Sequence, residues 1–269
     1  MDKNNNDLRY AVLIDADNVP YSNISGMLEE IAKYGTPTFK RIYGDWTKPT
    51  VSGWKTVLLE HAITPVQQYS YTSGKNATDS AMIIDAMDIL YSGRVDGFCI
   101  VSSDSDFTRL AIRLREAGMR VIGIGEKKTP TAFISACEKF IYIEILKQGE
   151  EEEKEDKREH GNEASRSITK LDKKMLTLIS SSISDLANES GWAFLGDLGN
   201  LILKKRPDFD PRNYGFKKLA QLIKSIDTVE VEERTSERGD NKLVYIRTRK
   251  QGQPKKIAKP AGRKNAGPK

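Results

Sequence analysis

Over the first half of the chain, short apolar runs of strand length alternate with longer amphipathic stretches. The strand candidates are "YAVLI" (10–14), "TFKRIYG" (38–44), "TPVQQYSY" (64–71), "FCIVSS" (98–103), "RVIGIG" (120–125) and "FIYIE" (140–144). Helix candidates lie between them, near 22–34, 51–62, 77–92, 106–117 and 130–138. Near-continuous apolar strands alternating with helices predict an α/β fold: a parallel sheet, Rossmann-like, flanked by helices on both faces. Gly93 and Gly118 stand where two of these helices should stop.

The pattern breaks after residue 146. Residues 147–166, "KQGEEEEKEDKREHGNEASR", carry almost no apolar side chains and read as an acidic flexible linker between two units. The first unit is then 8–146. A second, at 167–247, opens with "ITKLDKKMLTLISSSISDLANE" and continues with "AFLGDLGNLILKKR" and "YGFKKLAQLIKSI". Two strands follow, "TVEVEER" and "KLVYIRT". Three helices and a hairpin describe a small C-terminal winged helix. Residues 248–269 read as a basic disordered tail.

Charge sharpens this division. The chain of 269 residues has a formal net charge of +5, but nine Lys/Arg and no acid fall between 247 and 269. The acidic stretch 150–159 carries seven acids and three bases, or −4. Since +5 − 9 + 4 = 0, the folded parts are close to neutral and the charge sits in linker and tail. Such a tail attracts polyanions without sequence preference. The start, "MDKNNNDLRY", is polar and no apolar run is long enough to span a bilayer, so neither a signal peptide nor a membrane partner is expected. Cys99 and Cys137 both sit in apolar segments, as core thiols do in a reducing compartment, here the cytoplasm. With two histidines and no CxxC, a structural zinc site is not expected.

The candidate chemistry lies at strand ends. "YAVL" runs into Asp15, Asp17 and Asn18, and "CIVSSDSDF" ends in Asp104 and Asp106. In an open α/β sheet, ligands bind beyond the carboxyl ends of the strands, where strand order reverses. If the first and fourth strands are neighbours there, all four acids meet. At about 100° per residue, Asp79 falls on the same helical stripe as Ile83, Ala86, Met87 and Leu90, with Asp85 and Asp88 opposite, in solvent. Asp and Ser are also ordinary loop and cap residues, and an acid in a first helical turn complements the dipole. Convergence of all these carboxylates calls for a shared cation. Oxygen ligands without nearby His or Cys select Mg2+ or Mn2+, the ions of phosphodiester-cleaving sites.

"LIDADN", "TDSAMIIDAMD" and "CIVSSDSDFTRLAIRLREAGMRVIGIG" resemble the NYN domain in its bacterial LabA-like branch, a member of the PIN-like nucleases. The resemblance spans about 10–146. It implies a PIN-like sheet and metal-dependent RNA cleavage. Asp15, Asp79 and Asp104 match the metal-binding acids, Asp106 a further acid of the site, Asn18 the amide after the first strand, and Asp17 a common supporting acid. "NATDS" departs from many relatives, which place a glycine just before the acid. The second unit resembles the LOTUS, or OST-HTH, domain through "GWAFLGDLGNLILKKRPDFDPRNYGFKKLAQLIKSI" and the hairpin "VEVEE"/"LVYIR". That family implies binding of RNA, structured, single-stranded or guanine-rich, or, in some animal proteins, docking of a helicase. Lys217, Lys218 and Lys224 are its candidates for phosphate contact, although each is also an ordinary surface lysine. Tyr214, with Phe194, Phe209 and Phe216, offers a stacking platform or belongs to the small domain's core.

Three readings compete. The first is a metal-dependent endoribonuclease targeted by its own RNA-binding module. The second is a catalytically silent RNA-binding adaptor, which gains nothing from a repulsive cluster of acids. The third is a HAD-like phosphatase, because "IDADN" resembles that family's nucleophile loop. That chemistry also needs a Thr/Ser and a Lys at later strand ends, and Thr64 and Lys127 fit it poorly in order and spacing.

Overall fold

The structure is a computed structural model and describes residues 8–47, 53–69, 77–146, 171–235 and 242–249. In the first unit the described strands are β1 (Arg9–Asp15), β2 (Thr36–Gly44), β3 (Thr64–Gln67), β4 (Gly97–Val101), β5 (Arg120–Gly125) and β6 (Lys139–Tyr142). They form one parallel sheet in the order β3-β2-β1-β4-β5-β6. The order reverses between β1 and β4, so the switch point falls between the two acid-bearing strand ends.

Alternation along each strand sends side chains to two cores. Val12, Ile14, Cys99, Val101, Ile122 and Ile124 meet α1 (Ile24–Ala32) and α2 (Trp54–Glu60) on one face. Ala11, Leu13, Phe98, Ile100 and Val121 meet α3 (Ala77–Ser92), α4 (Thr108–Glu116) and α5 (Thr131–Ala136) on the other. Burying each large side chain such as Trp54, Phe98 or Phe133 contributes roughly 1.5–3 kcal/mol. Gly93 and Gly118 close α3 and α4 with φ of 65° and 80°, a left-handed turn that other residues adopt at a cost. Both cysteines are free and buried, and burial pushes the Cys137 thiol up to about 12.

Some boundaries differ from the pattern. The sixth strand ends at Tyr142, and residues 143–146 turn helical so that Ile143, Ile145 and Leu146 can pack under the sheet. The first helix is preceded by a 3-10 turn, Tyr21–Asn23. β3 is shorter than its candidate, and residues 70–71 lie outside the described residues. The stripe of α3 is also rotated from its expected setting. Met82, Ala86 and Ile89 are its buried apolar positions, and Ile83, Met87 and Leu90 are only partly covered. Asp85 is therefore not in solvent: it is half-buried, accepting from Arg41 and from the Tyr43 hydroxyl on β2.

The second unit has α6 (Lys173–Leu186), α7 (Leu195–Lys205), α8 (Leu219–Ser225) and the hairpin β8 (Val229–Thr235) with β9 (Lys242–Thr248). Asp172 caps α6 by accepting from the Met175 N–H (2.8 Å). A short strand that hydrophobic patterning missed, β7 (Ala193–Phe194), pairs with β9 and completes a three-stranded wing. Two residues carry too little alternation to be recognised as a strand. Tyr214 is 8% exposed and packs among Phe209, Leu222 and Ile223. Its ring stands 6.1 Å from that of Phe209, so it is a core residue here and not the base-stacking surface the sequence offered. Residues 147–166, read as linker, lie outside the described residues, as do 250–269 of the tail read at 248–269; Thr248 still belongs to β9.

The two units touch. Edge strand β6 donates its Phe140 N–H to the Pro207 carbonyl (2.8 Å), and the Tyr142 hydroxyl donates to Asp208 (3.0 Å). Arg212 reaches Glu30 on α1 with two bonds of 2.9 and 2.8 Å. The winged helix thus gives partners to polar groups of a sheet edge that would otherwise lack them.

Candidate metal centre

From Ala11 to Ile14 β1 is apolar, and it ends in a carboxylate. Asp15 then stands 1% exposed, and its carboxylate accepts three hydrogen bonds. They come from the Asp17 N–H (3.1 Å), the Asn18 amide (2.6 Å) and the Ser102 hydroxyl (2.9 Å). The first two close the turn that lets the chain leave the strand. The third crosses the switch point, since Ser102 follows directly on β4. Ser102 also accepts the Asp104 N–H (3.1 Å), so one hydroxyl ties both acid-bearing strand ends together. Asp104 in turn caps the 3-10 turn Ser105–Phe107 by accepting the Asp106 N–H (2.9 Å). Asp79 arrives from the first turn of α3.

Oxygens of Asp79, Asp104 and Asp106 lie within 4.8 Å of one another. Two oxygens bound to the same Mg2+ at 2.0–2.1 Å stand at most about 4.2 Å apart, so small side-chain movements bring this set to ligand distance. Asp15 does not belong to this trio, in which Asp106 takes the place the sequence assigned to it. The oxygens of Asp15 are held by Ser102, Asn18 and the Asp17 N–H. Asp17 is exposed and Asn18 half-buried at the rim.

The electrostatics are those of carboxylates facing one another. Burial, followed by the charges of Asp15, Asp104, Asp106 and Asp17, pushes the Asp79 carboxyl up to about 6. Burial also raises Asp15, against the opposing pull of its hydrogen bonds from Asn18, Ser102 and the Asp17 N–H. Carboxylates that raise one another's affinity for protons also attract a divalent cation. The ligand set is all oxygen, which suits Mg2+ or Mn2+.

Ser102 was not singled out in the sequence; its place in "SSDSDF" was the available signal. Asp45, buried at the end of β2, was also passed over. It accepts from the Thr47 hydroxyl (2.6 Å) and the Gln67 amide (3.0 Å) and stands outside the trio. Thr64 opens the edge strand β3, two strands from β1 and level with Leu13, and does not stand at a carboxyl strand end as a phosphatase-type constellation requires. In the winged helix, Lys217 and Lys218 are exposed just before α8. Lys224, in its last turn, is exposed and paired with Glu233 at 2.9 Å.

Fold and site together define a two-domain protein: a PIN-like α/β domain with an acidic centre at its switch point, followed by a winged helix. The chain belongs to the NYN-domain family, whose model matches residues 9–144, and an OST-HTH/LOTUS domain matches residues 166–239. NYN domains are nuclease-type domains of the PIN-like group, and OST-HTH domains generally bind RNA. Among solved structures, the chain is similar to a protein of unknown function from Vibrio parahaemolyticus, at 18% identity and a TM-score of 0.44. That match covers 52% of this chain and 96% of the other. An uncharacterized protein from Nitrosomonas europaea matches at 28% identity and a TM-score of 0.30, over 38% and 97% of the two chains. Residues 175–257 of a protein from Chromobacterium violaceum match at 33% identity and a TM-score of 0.26, over 34% and 97%. No curated protein matches the chain. Among the described residues, no helix is long and apolar enough to cross a membrane.

Proposed function

We propose that this protein is a metal-dependent endoribonuclease that uses Mg2+ or Mn2+ and is targeted to RNA by its OST-HTH domain. The observation that carries the reading is the trio of carboxylates within 4.8 Å at the switch point of a PIN-like sheet. Asp79, Asp104 and Asp106 hold the ion, and Asp15 adds a fixed negative charge beside it. When bound, such a cation makes water nucleophilic near neutral pH and stabilises charge developing on phosphoryl oxygens. Ser102 keeps Asp15 and the Asp104 backbone in register. Asn18 holds Asp15 in the rotamer that Ser102 requires.

RNA affinity comes from Lys217, Lys218 and Lys224 and from the basic residues 247–269, while the NYN domain supplies the chemistry. An RNA that neutralises several of these cations will bind with log affinity falling steeply in log salt. Removing 250–269 will flatten that slope and keep any preference for RNA shape, because shape is read by a folded surface.

The deciding experiment incubates the full chain with end-labelled structured and single-stranded RNAs, in Mn2+, in Mg2+ and in EDTA. Internal cuts that require the ion and vanish in Asp104→Asn support the reading. RNA binding without cuts in either metal would favour the adaptor. A trapped aspartyl-phosphate at Asp15 would point to the phosphatase.

A further inference from the structure

The contact between the domains is more specific than a tether needs. Arg212, in the 3-10 turn Pro211–Tyr214, grips Glu30 with Nη1 and Nη2 at 2.9 and 2.8 Å. It holds Asp210 with Nε and Nη2 at 3.0 and 2.7 Å, and its own N–H binds the same carboxylate at 2.9 Å. Glu30 is 3% exposed and also receives Lys33 (2.7 Å) and the Tyr34 hydroxyl (3.2 Å). The Lys139 ammonium lies 5.1 Å above the Tyr34 ring. A planar guanidinium bonded to two carboxylates at once is satisfied in one orientation only. A buried charge pair of this kind selects geometry more than it adds stability.

Its location also matters. β6 is the outer strand of the sheet, two strands beyond β4, on the order of 10 Å along the sheet. Glu30 lies in the last turn of α1, which leads back to the start of β2, so the Arg212 contact lies toward the end of the sheet away from the carboxylates. The docked turn leads within a few residues to Lys217 and Lys218. The lysines that would hold RNA are therefore set at a fixed offset from the acids that would cut it.

We propose that Arg212 is a positioning residue: by locking the OST-HTH domain onto the β6 edge, it makes the protein cut RNA at a set spacing from the element that domain binds. The proposal rests on the nuclease reading above and adds to it a rule for where the cut falls. Once released, the OST-HTH domain would be joined to the NYN domain by the covalent connection alone, and the spacing would be lost while each domain kept its own chemistry.

The test uses the full chain with spin labels on Glu116→Cys and Glu189→Cys, two exposed sites in different domains; the native cysteines are buried. The substrate is a labelled hairpin RNA with a long single-stranded extension, in Mn2+. We expect a narrow label distance and products clustered at one position in the otherwise native chain. Arg212→Glu, which sets a third carboxylate against Glu30 and Asp210, should broaden the distance and scatter the cuts at an unchanged total rate. Arg212→Lys should restore much of both, because a cation returns without the fork. Clustered products from Arg212→Glu, or a broad distance in the native chain, would overturn the proposal. Should Arg212→Glu fail to fold, Arg212→Lys decides alone: partial scattering supports the proposal and an unchanged pattern overturns it. A narrow native distance without any metal-dependent product would instead refute the nuclease reading, and the cutting rule with it.

Discussion

Two groups of buried carboxylates in this molecule behave in opposite ways. At the switch point, Asp79 faces the carboxylates of Asp15, Asp104, Asp106 and Asp17 and, with burial, is driven up to about 6. At the domain boundary, Glu30 is as deeply buried as Asp15, yet it is held down to about 2. Burial opposes its ionisation, and Arg212 and Lys33 more than offset this. Asp208 is likewise lowered, with Arg206 bonded to both its oxygens at 3.0 Å. Burial alone therefore says little about a carboxylate's role. What separates the two groups is the sign of the neighbouring charge: Asp79 faces other carboxylates, whereas Glu30 faces Arg212 and Lys33.

The largest break in this comparison comes from removing a charge at the centre. Asp104→Asn should lower Mn2+-dependent cleavage by roughly a hundredfold or more, the scale of losing a group that stabilises developing charge. Its metal-free melting temperature should not fall, because one member of a repelling set is gone. Cleavage assays and thermal unfolding of the same sample check both halves. At the boundary the sign reverses: Arg212→Ala leaves Glu30 with too few partners. A broken buried pair costs about 3–5 kcal/mol, so undocking or a lower melting temperature should follow.

Acidity gives a second contrast. Glu30 has a folded value of about 2 against an ordinary 4.5. Its contribution is complete above about 4.5 and is lost as pH falls toward 2, worth roughly 3 kcal/mol in all. Asp79 moves the other way, from 3.8 to about 6 in the metal-free chain. The folded state there holds its proton more tightly, so stability should rise as pH falls from about 6 to about 4. Saturating Mn2+ should remove that rise, since ion and proton compete for the same oxygens. Denaturant unfolding from pH 2 to 7, with and without Mn2+, reads both effects. A metal-independent profile would undo the comparison.

The smallest effect belongs to the surface. Lys224→Ala deletes an exposed cation already shared with Glu233. It should lower the slope of log affinity against log salt by less than one unit and leave stability within error. Filter binding over a salt series measures it.

Local pattern carried most of the fold. Alternating apolar strands and amphipathic helices placed the parallel sheet, and Gly93 and Gly118 marked real helix ends. Asp79 and Asp104, read in the sequence as members of one site, lie with Asp106 within 4.8 Å, because the first turn of α3 and the loop after β4 meet at the switch point. Finer assignments failed where they depended on packing. A small rotation of α3 turned Asp85 from solvent toward Arg41 and Tyr43. Asp15 is bonded to Asn18 and Ser102, and the group within 4.8 Å is Asp79, Asp104 and Asp106. Tyr214 could be core or platform until Phe209 and the helices closed over it.

The sequence by itself determined which elements form and which of them end in carboxylates, because strand alternation, helical period and capping act within a few residues. Tertiary structure alone decided which carboxylates receive a counter-charge. Arg212 and Glu30 are 182 residues apart in the chain, and nothing local to either predicts the other. Coulomb energy depends on distance and burial, and both exist only once the winged helix has met the edge of the sheet.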